Sequence, residues 1–135
     1  MARFVIDAGV ALRLATEGTT KIPAKHELLA PTLLRSQTLS LLHEAVQDGK
    51  VADDVARERL TRVQQLPVRL LGDAVLRRRA WEVATQLGWA GTYDAEYVAL
   101  TQLQADAFVT LDAKLARRVE GLVETATVDA LGAKR

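Results

Sequence analysis

Short apolar runs alternate along the chain with longer stretches in which apolar residues recur at helical spacing. The runs are rich in β-branched and large apolar residues and are bounded by Pro, Gly or Asp, which is the pattern of buried strands. Five of them predict strands: FVID near the N-terminus, HELLA at the end of a loop-like stretch (19–30) that carries Pro23, and then PVRLL, AFVTL and LVETATV.

The stretches between these runs predict helices whose ends are marked by capping residues. AGVALRLA follows the first run directly. A second helix is expected from Pro31, in its first turn, to about Asp48, where Gly49 stops it. Asp53 or Asp54 is expected to cap a third helix, which ends before PVRLL.

Asp73 is expected to cap the clearest helix of the sequence. Its apolar residues form the stripe that a surface helix presents to a sheet, namely Leu76, Ala80, Val83, Ala84 and Leu87. Thr92 is expected to cap a mostly buried helix that runs to about Gln104, and AKLARRV predicts a short helix after the fourth strand. Only the AKR tail is expected to be loose.

The alternation of strands and helices predicts one α/β domain over residues 1–135. We expect a three-layer α/β/α sandwich with a mostly parallel central sheet, in which ligands bind beyond the carboxyl ends of the strands. A length of 135 residues with 49% apolar residues is sufficient for one core. Only 4% of the residues are aromatic, so Leu, Val and Ala must fill most of that core.

Composition excludes several kinds of site. The chain has 18 Lys and Arg against 17 Asp and Glu, so its net charge of +1 gives no whole-protein argument for nucleic-acid binding. The absence of cysteine excludes disulfides, thiolate zinc sites and cysteine nucleophiles, and His26 and His43 are too few for a histidine-rich metal site. The first residues do not form a signal peptide, and no run reaches the roughly 18 apolar residues of a membrane span. A cytoplasmic protein without membrane contact is expected.

Two aspartates stand directly after predicted strands, Asp7 after FVI and Asp112 after AFVTL, and a third, Asp94, opens a predicted helix. Each alone is explained equally well by helix capping or by the helix dipole. The predicted sheet, however, would bring all three to one edge, where two carboxylates about 4 Å apart repel by roughly 4 kcal/mol at an effective dielectric of about 20. Such a cluster needs protonation or a cation, and hard oxygen ligands suit Mg²⁺ or Mn²⁺.

The segments around these acids resemble the motifs of PIN domains. VIDAGVAL resembles the first motif, and TYDAEYVAL followed by FVTLDAKL resembles the third and fourth, in the same order and over essentially the whole chain. Within that family the chain looks most like the VapC-type toxins of toxin–antitoxin pairs. The resemblance implies an Mg²⁺- or Mn²⁺-dependent endoribonuclease, commonly dimeric and inhibited by a cognate antitoxin. It assigns metal binding and catalysis to Asp7, Asp94 and Asp112, and a nearby hydroxyl to Thr110.

One position departs from the family's pattern. APTLLRSQTLSLL places Gln37 where the second motif carries a glutamate, and an amide brings no charge and cannot act as a base. Glu44 lies on the same helix face about 10 Å away, too far to substitute, and Glu96 is expected to point away from Asp94. A catalytically silent PIN domain that binds protein or RNA is therefore the alternative reading.

Basic and aromatic residues give weaker signals. Arg13, Arg117 and Arg118 follow the acidic motifs and are candidate contacts for RNA phosphates. The run Arg77–Arg79 is expected to be a solvated helix face rather than an RNA or antitoxin contact. Trp81 and Trp89 are expected to serve in core or interface packing, and Tyr93 to lie at the mouth of the cleft.

Other aspartate-centred α/β enzymes fit the sequence poorly. An aspartyl phosphatase usually carries DxD after its first strand, whereas Asp7 is followed by Ala8 and Gly9. A receiver domain would place its main aspartate after a middle strand, preceded by paired acids after the first. Neither pattern is present.

Overall fold

The computed structural model describes residues 2–19 and 21–135, and these residues fold around one parallel sheet. Its five strands lie in the order β3-β2-β1-β4-β5, and every pair of neighbours is parallel. The strands are β1 (Ala2–Ile6), β2 (His26–Pro31), β3 (Val68–Leu71), β4 (Ala107–Val109) and β5 (Thr125–Ala126). The five predicted strands are all present, and the sheet expected to be mostly parallel is parallel throughout.

The helices connect these strands in the predicted order. They are α1 (Ala8–Thr16), α2 (Leu33–Gln47), α3 (Asp53–Gln65), α4 (Ala74–Leu87), α5 (Tyr93–Gln104) and α6 (Ala113–Arg118). A short 3₁₀ helix (Val128–Leu131) follows β5. Gly49 and Gly88 have φ angles of +72° and +69°, so each ends its helix in the left-handed conformation that glycine adopts without steric cost.

The order of the strands places helices on both faces of the sheet. From β1 to β3 the chain moves in one direction, and from β3 to β5 it moves in the other. Because parallel crossovers are right-handed, α1–α3 cover one face and α4–α6 the opposite face. The contacts between elements agree with this assignment. On one face, α1, α2 and α3 pack on one another, and on the other face α5 packs on β1, β2 and β4 while α4 packs on α5. The three-layer α/β/α sandwich is confirmed.

The core lies along the three central strands. Consecutive residues of β1, β2 and β4 are buried, because a parallel strand covered on both faces has no solvent side. On α5, Ala95 and the run 97–101 are buried between the sheet and α4. As composition predicted, the core contains few aromatic rings, and Tyr97 and Phe108 stack within it at 6.3 Å between ring centroids.

The prediction that Pro31 lies in the first turn of a helix is wrong. Pro31 is the last residue of β2, and α2 begins at Leu33. The missing N–H is tolerated there because the pairing of β2 with β1 ends at Leu29, before Pro31. On the side of β3, the hydrogen bond to Leu71 comes from the N–H of the next residue, Thr32.

The predicted caps are right at Asp73 and different at two other helices. The Asp73 side chain accepts a hydrogen bond from the N–H of Leu76 at 2.8 Å and caps α4. Ala52, not Asp53 or Asp54, is the N-cap of α3, and those two acids occupy its first turn, where they complement the helix dipole. Thr92 holds the N-cap position of α5 without a side-chain hydrogen bond.

Two further expectations need correction. The apolar stripe of α4 is buried as predicted except at Leu87, which is half-buried, but the stripe packs chiefly on α5 and not on the sheet. The C-terminal tail is not loose, because Lys134 and Lys21 exchange two backbone hydrogen bonds of 3.0 and 3.1 Å. Within residues 2–19 and 21–135, no helix is long and apolar enough to cross a membrane.

Candidate active site

The acids lie where the sheet changes direction. The chain leaves β1 toward β2 on one side and leaves β4 toward β5 on the other, so the carboxyl ends of the neighbouring strands β1 and β4 open a crevice between them. In open parallel sheets this switch point is the usual place for a ligand. Asp7 is the first residue after β1, and Thr110 and Asp112 follow β4 within three residues.

Asp7 is held by contacts from both strand ends. Its Oδ1 atom accepts a hydrogen bond from the N–H of Val10 at 3.0 Å and so caps α1, while its Oδ2 atom accepts one from the Thr110 hydroxyl at 2.5 Å. Burial raises the pKa of the Asp7 carboxyl, the two hydrogen bonds lower it in part, and the charges of Asp94 and Asp112 raise it again. The balance is a raised pKa, so the Asp7 carboxylate is a destabilised anion.

Thr110 links Asp7 to Asp112. The same hydroxyl oxygen that donates to Asp7 accepts the backbone N–H of Asp112 at 3.1 Å. The Oδ1 atom of Asp112 accepts from the N–H groups of Lys114 and Leu115, both at 3.0 Å, and caps α6. Its Oδ2 atom is left for another ligand, because no group in the described part of the chain donates a hydrogen bond to it.

Asp94 lies in the first turn of α5 and is accessible to solvent. Partial burial of its carboxyl group raises its pKa, the charge of Asp112 raises it further, and Arg118 lowers it in part. Among residues 2–19 and 21–135, no group donates a hydrogen bond to this carboxylate. The structure thus brings the three predicted acids within electrostatic range of one another.

The three carboxylates are not drawn together around a common point. In the residues described, no group of three or more acidic or histidine side chains is arranged closely enough to hold a metal ion as it stands. The donor set nevertheless suits a hard divalent cation, because it consists of carboxylate oxygens that repel one another and contains no sulfur or imidazole ligand. The carboxylates would have to come closer together to hold a cation, and Asp94, which accepts no hydrogen bond from the described residues, is the freest of the three to move.

Gln37 contacts a residue that the sequence did not single out. The hydroxyl of Tyr97 donates a hydrogen bond to Gln37 Oε1 at 2.5 Å, joining α5 to α2. Burial raises the pKa of Tyr97, and the charges of Asp7, Glu96 and Asp94 add to this effect, so the phenol keeps its proton. The sequence placed Tyr97 only within the mostly buried helix that follows Thr92. The available signal was its spacing, because it lies one turn after Asp94 and on the same face of the helix.

Two cavities share Gln37 and Tyr93 as lining residues. One, of about 380 Å³, extends along α2 to Ser40 and Glu44, and the other, of about 520 Å³, extends to Trp89, Asp94 and Arg118. We call the pair the cleft. Tyr93 is 63% exposed at its mouth, as predicted. A larger cavity of about 640 Å³ lies between α2, α3 and β3, and none of the three acids lines it.

Of the three arginines predicted to contact RNA, Arg118 is the one that lines the cleft. Its guanidinium lies 5.2 Å from the centroid of the Trp89 ring, and its charge acts on Asp94. A guanidinium stacked on an indole is held in place while its N–H groups stay free for an anion. Arg117 is exposed in the last turn of α6, and Arg13 forms an ion pair with Glu17.

The remaining polar residues that the sequence singled out do not contribute to the raised pKa values of Asp7 and Asp94, although Glu44 lines the cleft. Glu44 accepts a hydrogen bond from Ser40 at 2.8 Å, and Glu96 does not contribute to the raised pKa of Asp7 or of Asp94. The side chains of Arg77 and Arg78 are exposed, as expected for a solvated helix face. Arg79 departs from that expectation, because it is half-buried and donates a hydrogen bond to Gln102 of α5 at 3.2 Å. Trp81 is 72% exposed and so is not a core residue, whereas Trp89 packs against the core.

Two solved structures share this architecture over nearly their whole length. PAE2754 from Pyrobaculum aerophilum has a TM-score of 0.75 at 24% sequence identity, covering 96% of this chain and 92% of that one. VapBC2 from Rickettsia felis, solved with a DNA fragment from its promoter, has a TM-score of 0.63 at 11% identity, covering 93% and 98% of the two chains. No protein-family model matches the chain, and no curated protein is significantly similar in sequence. The resemblance carried by the sequence motifs is confirmed at the level of architecture, and this chain has the PIN-like α/β/α fold.

Proposed function

We propose that this protein is a metal-dependent endoribonuclease and the toxin of a toxin–antitoxin pair. The observation that carries the proposal is the placement of three acids at the switch point of a PIN-like sheet, two of them after the neighbouring strands β1 and β4. Burial raises the pKa values of Asp7 and Asp94, and repulsion among Asp7, Asp94 and Asp112 adds to the increase. A folded protein maintains such repulsion at a cost in stability, and a divalent cation would relieve it.

Asp7, Asp94 and Asp112 would hold Mg²⁺ or Mn²⁺. When bound there, the cation would activate water and neutralise charge on the attacked phosphate. Hydrolysis forms a bond from the oxygen of water to phosphorus and breaks one bridging P–O bond, and a proton of the water ends on the leaving oxygen. Asp7, fixed by Thr110 and by the start of α1, provides the rigid ligand. Asp94, without a hydrogen-bond donor among the described residues, provides the adjustable one.

The RNA would lie along the cleft. Arg118, held by Trp89 beside Asp94, is placed to neutralise a phosphate next to the cleaved one. Arg117 lies one residue away on the exposed face of α6 and is a candidate for a further phosphate contact. Arg13 would have to leave Glu17 to take part, so its contribution is expected to be smaller.

A cognate antitoxin and a second copy of this chain are the proposed protein partners. Both come from the resemblance to VapC-type toxins, and the structural similarity to VapBC2, solved on promoter DNA, supports the first. The surface offers apolar positions for such contacts, because Leu39 and Leu41 on α2 are 54% and 43% exposed.

The direct test is cleavage of labelled structured RNAs by the purified protein in the presence of Mn²⁺. We expect the wild type to cleave, and Asp7→Asn, which keeps the size of the side chain but removes its charge, to lose at least 100-fold in rate, as is common for groups acting on the transition state. Asp48→Asn is the matched control, because Asp48 is an exposed aspartate at the end of α2. Equal cleavage by wild type and Asp7→Asn would show a contaminating nuclease and would overturn the proposal.

A catalytically silent PIN domain that binds protein or RNA is the second candidate, and Gln37 favours it. The side chain that is a glutamate in the resembling family is here a neutral amide already engaged with Tyr97. If wild type is inert and Gln37→Glu cleaves RNA, the natural protein is a binding module. If wild type cleaves at least as fast as Gln37→Glu, this alternative is excluded.

A further inference from the structure

Tyr97 and Gln37 form a hydrogen bond in which the carbonyl end of the amide meets the phenol. Tyr97 is 2% exposed, and its ring stacks on Phe108 with an angle of 29° between the planes, so the hydroxyl has a fixed position. The phenol keeps its single proton and donates it at 2.5 Å to the carbonyl oxygen of Gln37.

The NH₂ group of Gln37 therefore lies away from Tyr97. Within the described residues, Nε2 of Gln37 has no acceptor, although an amide carries two N–H donors. The same side chain lines both cavities of the cleft, including the one that contains Asp94 and Arg118. A pair of unused donors thus belongs to a cavity that Asp94 and Arg118 also line.

We propose that Gln37 donates a hydrogen bond to a non-bridging phosphate oxygen of the RNA, and that it is not a metal ligand. Tyr97 is the positioning residue that holds the amide with its donors toward the cleft. The inference rests on the proposed function, because it takes RNA as the occupant of the cleft. A carboxylate at this position would repel a phosphate, whereas the N–H groups of an amide can donate hydrogen bonds to it.

Two equilibrium measurements separate the two roles of Gln37. The first is the affinity for a fluorescein-labelled single-stranded RNA, measured by anisotropy in EDTA, where no metal contributes. The second is the affinity for Mn²⁺ alone, measured by calorimetry without RNA. The variants are Gln37→Met, which keeps the length without the amide, Gln37→Glu and Tyr97→Phe, with circular dichroism to verify folding.

For Gln37→Met we expect RNA affinity to fall about 10-fold, the effect of losing a hydrogen bond to a charged group, while Mn²⁺ affinity stays within about twofold of wild type. Gln37→Glu is expected to lower RNA affinity further and to raise Mn²⁺ affinity. Tyr97→Phe should lower RNA affinity about threefold and leave Mn²⁺ affinity unchanged. In a protein that already carries Gln37→Met, Tyr97→Phe should have no further effect on RNA affinity, because Tyr97 acts only through Gln37.

Other combinations of RNA and Mn²⁺ affinities would contradict the inference or the proposed function. If Gln37→Met weakens Mn²⁺ binding and leaves RNA binding unchanged, Gln37 is a metal ligand and the inference is wrong while the proposed nuclease stands. If wild type binds RNA with the expected dependence on Gln37 but never cleaves it, the inference stands and the proposed enzyme fails. If wild type binds no RNA in EDTA, the inference fails, and the cleavage assay with Mn²⁺ still decides the proposed enzyme.

Discussion

Replacing Thr110 by valine removes one hydroxyl and keeps the shape of the side chain. The hydroxyl donates to the carboxylate of Asp7 at 2.5 Å and accepts the N–H of Asp112 at 3.1 Å. It is thus the link between the ends of β1 and β4. Thr110→Val would leave one oxygen of a largely buried carboxylate without a donor, because Val10 serves only the other oxygen.

The size of the effect follows from these two bonds. A hydrogen bond to a charged group contributes about 1.5–3 kcal/mol, and one between neutral groups about 0.5–1.5 kcal/mol. Because the backbone of Asp112 is exposed, water replaces most of the second bond. We therefore expect Thr110→Val to lower the free energy of unfolding by about 2 kcal/mol at pH 7. The pKa of Asp7 should rise further, since the Thr110 bond is the strongest influence that lowers it.

Urea unfolding at several pH values tests this reasoning, with Thr110→Ser as a control that keeps the hydroxyl. The difference between Thr110→Val and wild type should be largest at neutral pH, where Asp7 is charged. It should shrink as the pH falls through the raised pKa of Asp7, above the ordinary value of 3.8, because the bond is then made to a neutral carboxyl. If the two proteins are equally stable at pH 7, or if the difference grows toward acid, then the Thr110 hydroxyl does not stabilise the Asp7 carboxylate.

Three further predictions concern charge, binding and capping. Asp7→Asn should stabilise the protein at pH 7 by about 0.5–2 kcal/mol, and this gain should disappear in acid. The reason is that the pKa of Asp7 is raised in the folded state, so the stability of the wild type falls as the pH rises through that pKa. Urea unfolding at pH 7 and pH 3 measures the difference. Arg118→Ala should weaken RNA binding and reduce the slope of log affinity against log salt by about 0.7–1, whereas Arg78→Ala on the exposed face of α4 should change neither. Asp73→Ala should lower the free energy of unfolding by about 1 kcal/mol, because it removes the N-cap of α4. Asp73→Asn keeps a capping side chain and should cost much less in the same thermal or urea unfolding. Equal losses in the two variants would show that the cap is not the cause.

The fold was predictable because it depends on local patterns. Runs such as FVI and AFV identify strands that are buried on both faces, and their alternation with helices leaves few arrangements other than a parallel sheet between helical layers. Periodicity also identified the buried face of α4, but a stripe shows only that a face is covered. It could not show that α5 covers it. Pro31 was misplaced for a similar reason, since a proline suits the end of a strand as well as the start of a helix.

The candidate site was predictable only in part. The positions of Asp7 and Asp112 after their strands follow from the sheet, as does their approach to one edge. The contacts that define the site's chemistry join distant parts of the chain, since Thr110 reaches Asp7 across 103 positions and Tyr97 reaches Gln37 across 60. No sequence period connects such pairs. The sequence showed only that Gln37 stands where the resembling family carries a glutamate. The orientation of its amide in the structure is what makes it a candidate substrate contact.

Calorimetric titration of the protein with Mn²⁺ at pH 7, without RNA, tests the central claim most directly. We expect wild type to bind Mn²⁺ and the binding to weaken as the pH falls toward the raised pKa values of Asp7 and Asp94. We expect Asp7→Asn and Asp94→Asn each to lose this binding. Equal binding by wild type and both variants, or no binding by wild type, would contradict the claim that these carboxylates form a cation site.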